Sequence, residues 1–248
     1  MSNTSLKTLN PVAREKIQPF LDEILSKYKE EIHSIHITGS SITDDYNPKI
    51  SDVNSIFVFK EMDLKFLEAV ALLGKKYGRN RVAAPLFMTP EYIKNSVDVF
   101  PVEFLNYRLI HATVFGDDIL QNIEINKMDL RRQCERELKV KLIWLRQGYI
   151  SSLGNRKILS EGFVKSITEY IPLLRGIIVL LGKEPPIRQA EVITTLAGAS
   201  GINTDVFTSV LREKREKTKL SIEELNKIFE AYYAATEKLG KIVDEIKE

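Results

Sequence analysis

The chain of 248 residues has little cysteine and no long apolar run. Its single cysteine, Cys134, excludes a disulfide framework and a cysteine-based zinc site within one chain, and its place on an apolar stripe predicts a core thiol. Because no stretch of about 18 residues is both uncharged and apolar, we expect no membrane-spanning helix. Residues 1–10 lack the apolar segment of a signal peptide, so we predict a cytoplasmic protein, a compartment that suits a reduced thiol.

Histidine is also scarce. Only His33, His36 and His111 occur, and their spacing is not that of a zinc-binding motif. We interpret His36, in the middle of a predicted strand, as a packed or surface residue and not as a catalytic one. The sequence contains neither the glycine-rich motifs of P-loop and dinucleotide-binding proteins nor the Gly-x-Ser-x-Gly turn of serine hydrolases. These absences exclude several common catalytic arrangements.

Charge is nearly balanced at +2, but it is unevenly distributed. Residues 1–126 carry 14 basic and 17 acidic side chains, whereas residues 127–248 carry 22 basic and 17 acidic ones. The simplest interpretation is two solvated surfaces. The alternative is an acidic, metal-holding half and a basic half that helps to hold phosphates. Basic stretches at 129–149 and 205–219 favour solvated helix faces over a nucleic-acid surface, because nucleic-acid binders usually show stronger basicity and exposed aromatic residues.

The periodicity of apolar residues changes near residue 122. Before it, helix and strand patterns alternate, which favours a mixed sheet covered by helices. After it, only helical patterns with apolar stripes occur, which predicts a helical bundle. We therefore predict an α+β fold with domains at 1–122 and 127–248. Strands are expected at 32–37, 53–59, 82–88, 97–107 and 113–116, and helices at 11–30, 63–77, 90–95, 129–149, 160–181, 191–199, 205–215 and 221–246.

The segment 35–59 carries the residues best suited to chemistry. One strand ends at Gly39 and Ser40, a polar loop follows, and Asp52 and Asn54 open the next strand. Gly39 lets a phosphate approach the backbone, and the Ser40 hydroxyl and the following amides can donate to it. Asp52 offers oxygen ligands to a hard cation such as Mg²⁺ or Mn²⁺, and strand alternation places Asn54 on the same face.

Glu103 is the second acid of interest. It stands alone in an apolar segment that we predict to be a strand, Phe100–Leu105. A buried acid in such a setting needs a partner or a cation. Glu103 on a neighbouring strand would complete a metal site with Asp52; alternatively, it pairs with a basic residue such as Arg108.

These residues resemble the nucleotidyltransferase superfamily, which includes the aminoglycoside and the minimal nucleotidyltransferases. The family pattern is Gly-Ser, a short loop, Asp-x-Asp/Glu and a third acid on a later strand. Here eleven residues separate Gly39-Ser40 from Asp52-Val53-Asn54, and Glu103 follows later. The turn at 114–117, Val-Phe-Gly-Asp, resembles the Tyr-Gly-x-Asp turn of the family.

The resemblance implies a role for each of these residues. Asp52 and Glu103 would be the catalytic, metal-binding acids, and Gly39, Ser40 and Asn54 would bind the nucleotide. The ligand or substrate would be a nucleoside triphosphate with Mg²⁺ or Mn²⁺, and the acceptor is not indicated.

The sequence departs from the family pattern at two places. Asn54 stands where a second metal-binding acid is expected, and the basic residue usual after Gly-Ser is replaced by the segment 41–45, Ser-Ile-Thr-Asp-Asp. The sequence therefore predicts either nucleotidyl transfer or an inactive relative that binds a nucleotide or a partner. A third hypothesis is an interaction module without a nucleotide, in which Gly39-Ser40 is an ordinary turn and Asp52 caps a turn.

Overall fold

A computed structural model describes residues 6–216 and 220–247 of the chain. The chain divides into two compact units. The first unit runs to Val97 and resumes at Phe104–Glu124, and the second comprises Asp98–Glu103 and the chain from Ile125 onward. Among the helices of the described residues, none is long and apolar enough to cross a membrane.

A four-stranded mixed sheet forms the centre of the first unit. Its strands are β1 (Ile32–Thr38), β2 (Asn54–Phe59), β3 (Leu86–Met88) and β4 (His111–Gly116), in the order β3-β2-β1-β4. Strand β1 is antiparallel to both β2 and β4, and β2 is parallel to β3. This sheet, with its helices and the helical second unit, confirms the predicted α+β class.

The helices of the first unit begin at recognisable caps. Asn10 accepts a hydrogen bond from the amide of Val12, and Asp63 accepts one from Lys65. The apolar stripe of the first helix is buried with Ile35 and Phe57 of the sheet in one core. These helices are α1 (Pro11–Tyr28), α2 (Leu64–Tyr77) and α3 (Pro90–Lys94), and short 3₁₀ turns lie at Gly39–Ile42 and Gly78–Asn80. A fourth helix, α4 (Pro101–Leu109), has its first three residues in the second unit and the rest in the first.

The predicted strand at 97–107 is wrong, because residues Pro101–Leu109 form helix α4. Proline fits the first turn of a helix, where its missing N–H has no intrahelical partner and its fixed φ suits the helix. The predicted strand at 82–88 is shorter than expected. Only Leu86–Met88 pairs as a strand, and Val82 forms an isolated bridge with Val53.

The second unit is helical, with α6 packed against α5, α7, α8 and α9. Its buried centre includes Tyr170, Phe207 and Tyr232, and the Tyr170 hydroxyl lies 2.9 Å from Thr236 Oγ1. The predicted capping box at the start of the last helix is confirmed. The helices are α5 (Lys127–Ser151), α6 (Arg156–Leu180), α7 (Gln189–Ser200), α8 (Asp205–Glu216) and α9 (Ile222–Glu245). Lys217 and Lys219 of the predicted basic stretch lie outside the described residues.

The predicted core thiol is confirmed. Cys134 is fully buried on α5, where a Cβ atom added to Gly176 of α6 would lie 3.0 Å from its Sγ. Burial raises the pKa of the Cys134 thiol well above its ordinary value, with smaller contributions from Glu137 and Glu103. The thiol is therefore protonated and unreactive at neutral pH.

Candidate functional site

Gly39 forms a sharp corner at the end of β1. Its φ is +75°, a left-handed conformation that glycine adopts without the cost of a side chain, and its amide donates to the carbonyl of Ile110 at 3.3 Å. Asn54 lies beside it, because Thr38 pairs with Asn54 across β1 and β2. A Cβ atom added to Gly39 would lie 3.7 Å from Asn54 Nδ2. The fold thus brings Gly39, Ser40 and Asn54 together, and we call these three residues the glycine corner.

The hydroxyls around the glycine corner differ in their engagement. Ser41 Oγ donates to the Thr38 carbonyl at 3.3 Å, and Thr43 Oγ1 donates to the Ser40 carbonyl at 3.1 Å. Within the described residues, Ser40 Oγ has no hydrogen-bond partner in the protein and is half-buried. Ser40 therefore offers a hydroxyl that remains available to a ligand at this corner.

Asp52 lies just before β2 and shares its orientation with Asn54. Val53 between them is fully buried, while Asp52 and Asn54 are exposed, as strand alternation requires. Asp52 Oδ1 lies 3.3 Å from Arg81 Nη1, and the same guanidinium atom donates to the Ile50 carbonyl. Both charged side chains are about half exposed, so this ion pair contributes little to stability and can give way to a ligand.

Glu103 lies on a helix and not on the predicted strand. Its Oε2 accepts a hydrogen bond of 2.7 Å from Gln133 Nε2, and Gln133 Oε1 accepts from the amide of Val102. Arg108, the alternative partner, instead donates to the Ile123 carbonyl at 2.8 Å. Glu103 belongs to the second unit and Asp52 to the first. Its role as a metal ligand stays a prediction.

The sheet itself is without carboxylates. In the part of the chain that the structure describes, none of the strands β1 to β4 contains Asp or Glu. The strand that pairs with β2 on its outer side, β3, consists of Leu86, Phe87 and Met88. Asp52 precedes β2 by two residues. Since β2 and β3 contain no acid, Asp52 is the carboxylate nearest in sequence to Asn54.

Comparison with solved structures identifies the architecture. The structure of spectinomycin adenyltransferase AAD(9) from Enterococcus faecialis, solved with ATP and spectinomycin, matches with a TM-score of 0.54. The match covers 91% of this chain and 98% of that chain, at 13% sequence identity. The chain has a nucleotidyltransferase-like fold. No protein-family model and no curated protein matches the sequence.

The nucleotidyltransferase-like fold confirms the resemblance inferred from Gly39-Ser40 and Asp52 at the level of architecture. At this identity the similarity concerns the fold alone, so the roles of individual residues depend on their geometry. That geometry joins a left-handed glycine, a free serine hydroxyl, an amide side chain and one carboxylate paired with an arginine. The set suits recognition of phosphate oxygens, and it has less negative charge for metal than three carboxylates would provide.

A second polar group, which the sequence interpretation missed, lies on the same face of the sheet. His36 on β1 pairs with Thr113 on β4, and His111 pairs with Thr38. One ligand atom each from His36, His111 and Asp118 lie within 4.8 Å of one another. We call these three residues the histidine cluster. Of the two alternatives predicted for His36, a packed or a surface residue, the structure shows the first, since His36 is fully buried; its polar surroundings were not foreseen.

Hydrogen bonds hold the histidine cluster together. His36 Nδ1 lies 2.9 Å from Thr113 Oγ1 and its Nε2 lies 2.9 Å from Ser34 Oγ. His111 Nε2 lies 2.9 Å from Asp118 Oδ1, and Oδ1 also accepts from the amide of Gln121. Every polar atom of the two rings therefore has a defined neighbour, as buried polar groups require.

Burial sets the charge of the cluster. Burial, followed by the proximity of His111, lowers the pKa of His36 to about 4, so this ring is neutral at pH 7. Burial raises the pKa of Asp118, but the hydrogen bond from His111 and further hydrogen bonds outweigh it, and the net pKa is below its ordinary value. Asp118 is therefore ionised at neutral pH.

Proposed function

We propose that the first unit binds a nucleoside triphosphate with Mg²⁺ at the glycine corner. The observation that supports this most is the conformation of Gly39, which opens the backbone at the end of β1 next to the free hydroxyl of Ser40. In this proposal Ser40 donates to phosphate oxygens, and the Asn54 amide donates to phosphate or ligates the cation through its carbonyl oxygen. The nucleotidyltransferase-like fold supports a nucleotide as the ligand.

Asp52 is the proposed protein ligand to Mg²⁺. Its carboxylate is exposed and lies on the same side of the chain as Asn54, and its partner Arg81 has a left-handed backbone with φ of 62°. If a cation bound the Asp52 carboxylate, the Arg81 guanidinium would lose its partner and would be able to contact phosphate. Arg81 would then supply the positive charge that the sequence lacks after Ser40.

Calorimetric titration with a non-hydrolysable ATP analogue and Mg²⁺ tests the binding proposal. We expect one analogue per chain, and an affinity about tenfold weaker in Asp52→Asn, because one charged ligand is lost. Asp22→Asn is the matched control, since Asp22 is a surface acid of α1 whose side chain, among the described residues, accepts only from Gln18. The proposal fails if the natural protein gives neither heat nor a thermal shift, which would favour an interaction module without a nucleotide.

We further propose that nucleotidyl transfer is weak or lost in the natural sequence, because Asn54 brings no charge to the metal site. Asn54→Asp is expected to increase pyrophosphate release from ATP and Mg²⁺ at least tenfold, equivalent to about 1.4 kcal/mol of transition-state stabilisation. Asn95→Asp adds the same charge at an exposed position of the first unit and is expected to change nothing. Equal activity in the natural protein and Asn54→Asp would contradict the proposed role of Asn54.

A second candidate function is nucleotidyl transfer by the natural sequence, with Glu103 as the missing carboxylate and an unknown acceptor. It is favoured by the extent of the match to the structure of AAD(9), which covers 91% of this chain and which was solved with ATP and spectinomycin. Under this hypothesis Glu103→Gln abolishes pyrophosphate release. If Glu103 only receives the hydrogen bond of Gln133, the substitution affects stability and leaves release unchanged.

A further inference from the structure

The histidine cluster has the composition of a transition-metal site. It contains two imidazoles and one carboxylate, His36, His111 and Asp118, contributed by β1, β4 and the loop that follows β4. Nitrogen and carboxylate ligands in this number suit Zn²⁺ and related dications, whereas Mg²⁺ prefers oxygen alone. The histidine cluster does not include Asp52, the proposed Mg²⁺ ligand.

The hydrogen bonds of His111 point to a cation. Its Nδ1 lies 3.2 Å from the Arg108 carbonyl, and its Nε2 lies 2.9 and 3.2 Å from the two Asp118 oxygens. Both ring nitrogens thus face acceptors, but a neutral imidazole can donate from only one of them. Either a second proton or a metal cation between Nε2 and Asp118 satisfies both acceptors; with a metal cation, Nδ1–H donates to the carbonyl, which is the usual arrangement of a metal-binding histidine.

The remaining surroundings fit a preformed site. His36 is fully buried and the His111 side chain is 4% exposed, whereas Asp118 is 39% exposed and forms an open side through which an ion can enter. Amides of Leu120 and Gln121 hold Asp118 Oδ1. The ligand atoms lie within 4.8 Å of one another. A tetrahedral site with zinc–ligand distances of about 2.0–2.1 Å has ligand atoms about 3.4 Å apart, so the three side chains would close around the ion, and one His36 nitrogen would exchange its hydrogen bond to a hydroxyl for the ion.

We propose that His36, His111 and Asp118 bind one divalent transition-metal ion, with zinc as the representative ion. The ion would join β1 to β4 and to the loop after it, on the sheet face that also carries the glycine corner. One coordination position would remain for water or a substrate atom. This proposal does not depend on nucleotide binding.

Titration of the tag-free, chelator-treated full chain with Zn²⁺ tests the proposal. We expect one equivalent to bind with micromolar or tighter affinity and to raise Tm by several degrees, because the ion binds the folded state. Co²⁺ in place of Zn²⁺ is expected to give the visible absorption of a four- or five-coordinate nitrogen and oxygen site. Histidine NMR is expected to show perturbed rings for His36 and His111 and an unperturbed ring for His33.

The chain provides matched controls. His33 and Asp117 form a similar pair nearby, with 3.9 Å between His33 Nε2 and Asp117 Oδ2, and are not part of the cluster. Asp118→Asn retains an acceptor for the loop amides and is expected to weaken Zn²⁺ binding at least tenfold, as is His111→Ala. Asp117→Asn and His33→Ala are expected to bind as the natural protein does.

Three results would overturn the proposal. The first is no Zn²⁺ binding by the natural protein at micromolar concentrations. The second is an equal loss of affinity in the cluster variants and their controls. The third is a perturbed His33 ring with unperturbed His36 and His111 rings, a measurement on the natural protein that does not require any variant to fold.

Discussion

At the scale of single residues, the proposal of nucleotide binding with little transfer depends on the side chain at position 54. In the proposed site, Gly39 and Ser40 offer a left-handed corner and a free hydroxyl to phosphate, whereas Asn54 offers an amide where a carboxylate would bring a charge. A carbonyl oxygen can ligate Mg²⁺, but it does not offset the charge of a triphosphate–metal complex as a carboxylate does. Binding is therefore better supported than transfer.

His36 gives a prediction about pH. Its folded-state pKa of about 4 lies below the ordinary value of 6.5, so the metal-free folded protein binds this proton at a lower pH than the unfolded chain does. Its contribution to stability is present above pH 6.5 and is lost as the pH falls towards 4, at about 1.4 kcal/mol per unit, or roughly 3 kcal/mol in all. Urea unfolding of the chelator-treated protein between pH 7 and 4 measures it.

His36→Gln is the control for this prediction, because glutamine can still bond to Ser34 and Thr113 but does not titrate. The difference in unfolding free energy between the natural protein and the variant should decrease as the pH falls. The contributions of the other titrating groups cancel in this difference. A difference that stays constant from pH 7 to 4 would contradict the buried, neutral state of His36.

Residue-level inference from sequence succeeded where the relevant partners are close along the chain. Asp52 and Asn54 share a side of β2 because alternation is a local property. The histidine cluster could not be predicted, because His36 and His111 meet only through the register of β1 and β4. Polar residues at alternate positions were the local signal, Ser34, His36 and Thr38 on β1 and His111 and Thr113 on β4, and short strands offer many such patterns.

At the scale of elements, the long helices were predictable and the short apolar segments were not. The stripes of α1, α5 and α9 each extend over four turns or more, so their period is clear. The segment that forms α4 is only nine residues long, and an apolar run of that length fits a strand or a helix equally well. Pro101 is the first residue of α4, a position that proline favours in helices.

Gly116 gives a prediction at this scale, because it ends β4 next to β1. Its φ is +71°, and an added Cβ atom would lie 2.0 Å from the His33 carbonyl oxygen. Since the obstructing atom belongs to the backbone, no rotamer change can relieve the contact. We expect Gly116→Ala to destabilise the protein by about 2–4 kcal/mol, as measured by urea unfolding, from the left-handed backbone and overpacking together.

Gly154→Ala separates these two causes. Gly154 has a similar φ of +73°, but nothing lies within 4 Å of its added Cβ atom. We expect Gly154→Ala to lower the free energy of unfolding only by the cost of the left-handed backbone, about 1–2 kcal/mol. Equal losses in the two variants would contradict the close approach of β4 to β1.

At the scale of the whole molecule, a mixed sheet in one compact unit and five helices in the described part of the other reproduce the architecture of a nucleotidyltransferase. The sequence predicted this architecture because the change from alternating to purely helical patterns extends over the entire chain. The assignment of Asp98–Glu103 to the helical unit was not predictable, because it depends on contacts such as that of Gln133 with Glu103.

The most direct test of the central claim is a crystal structure of the natural protein with a non-hydrolysable nucleoside triphosphate analogue and Mn²⁺. We expect phosphate density within hydrogen-bond distance of Ser40 Oγ, Mn²⁺ ligated by an Asp52 oxygen, and Arg81 released from Asp52. The contrary result is an intact Asp52–Arg81 pair, with the analogue absent or bound at another surface.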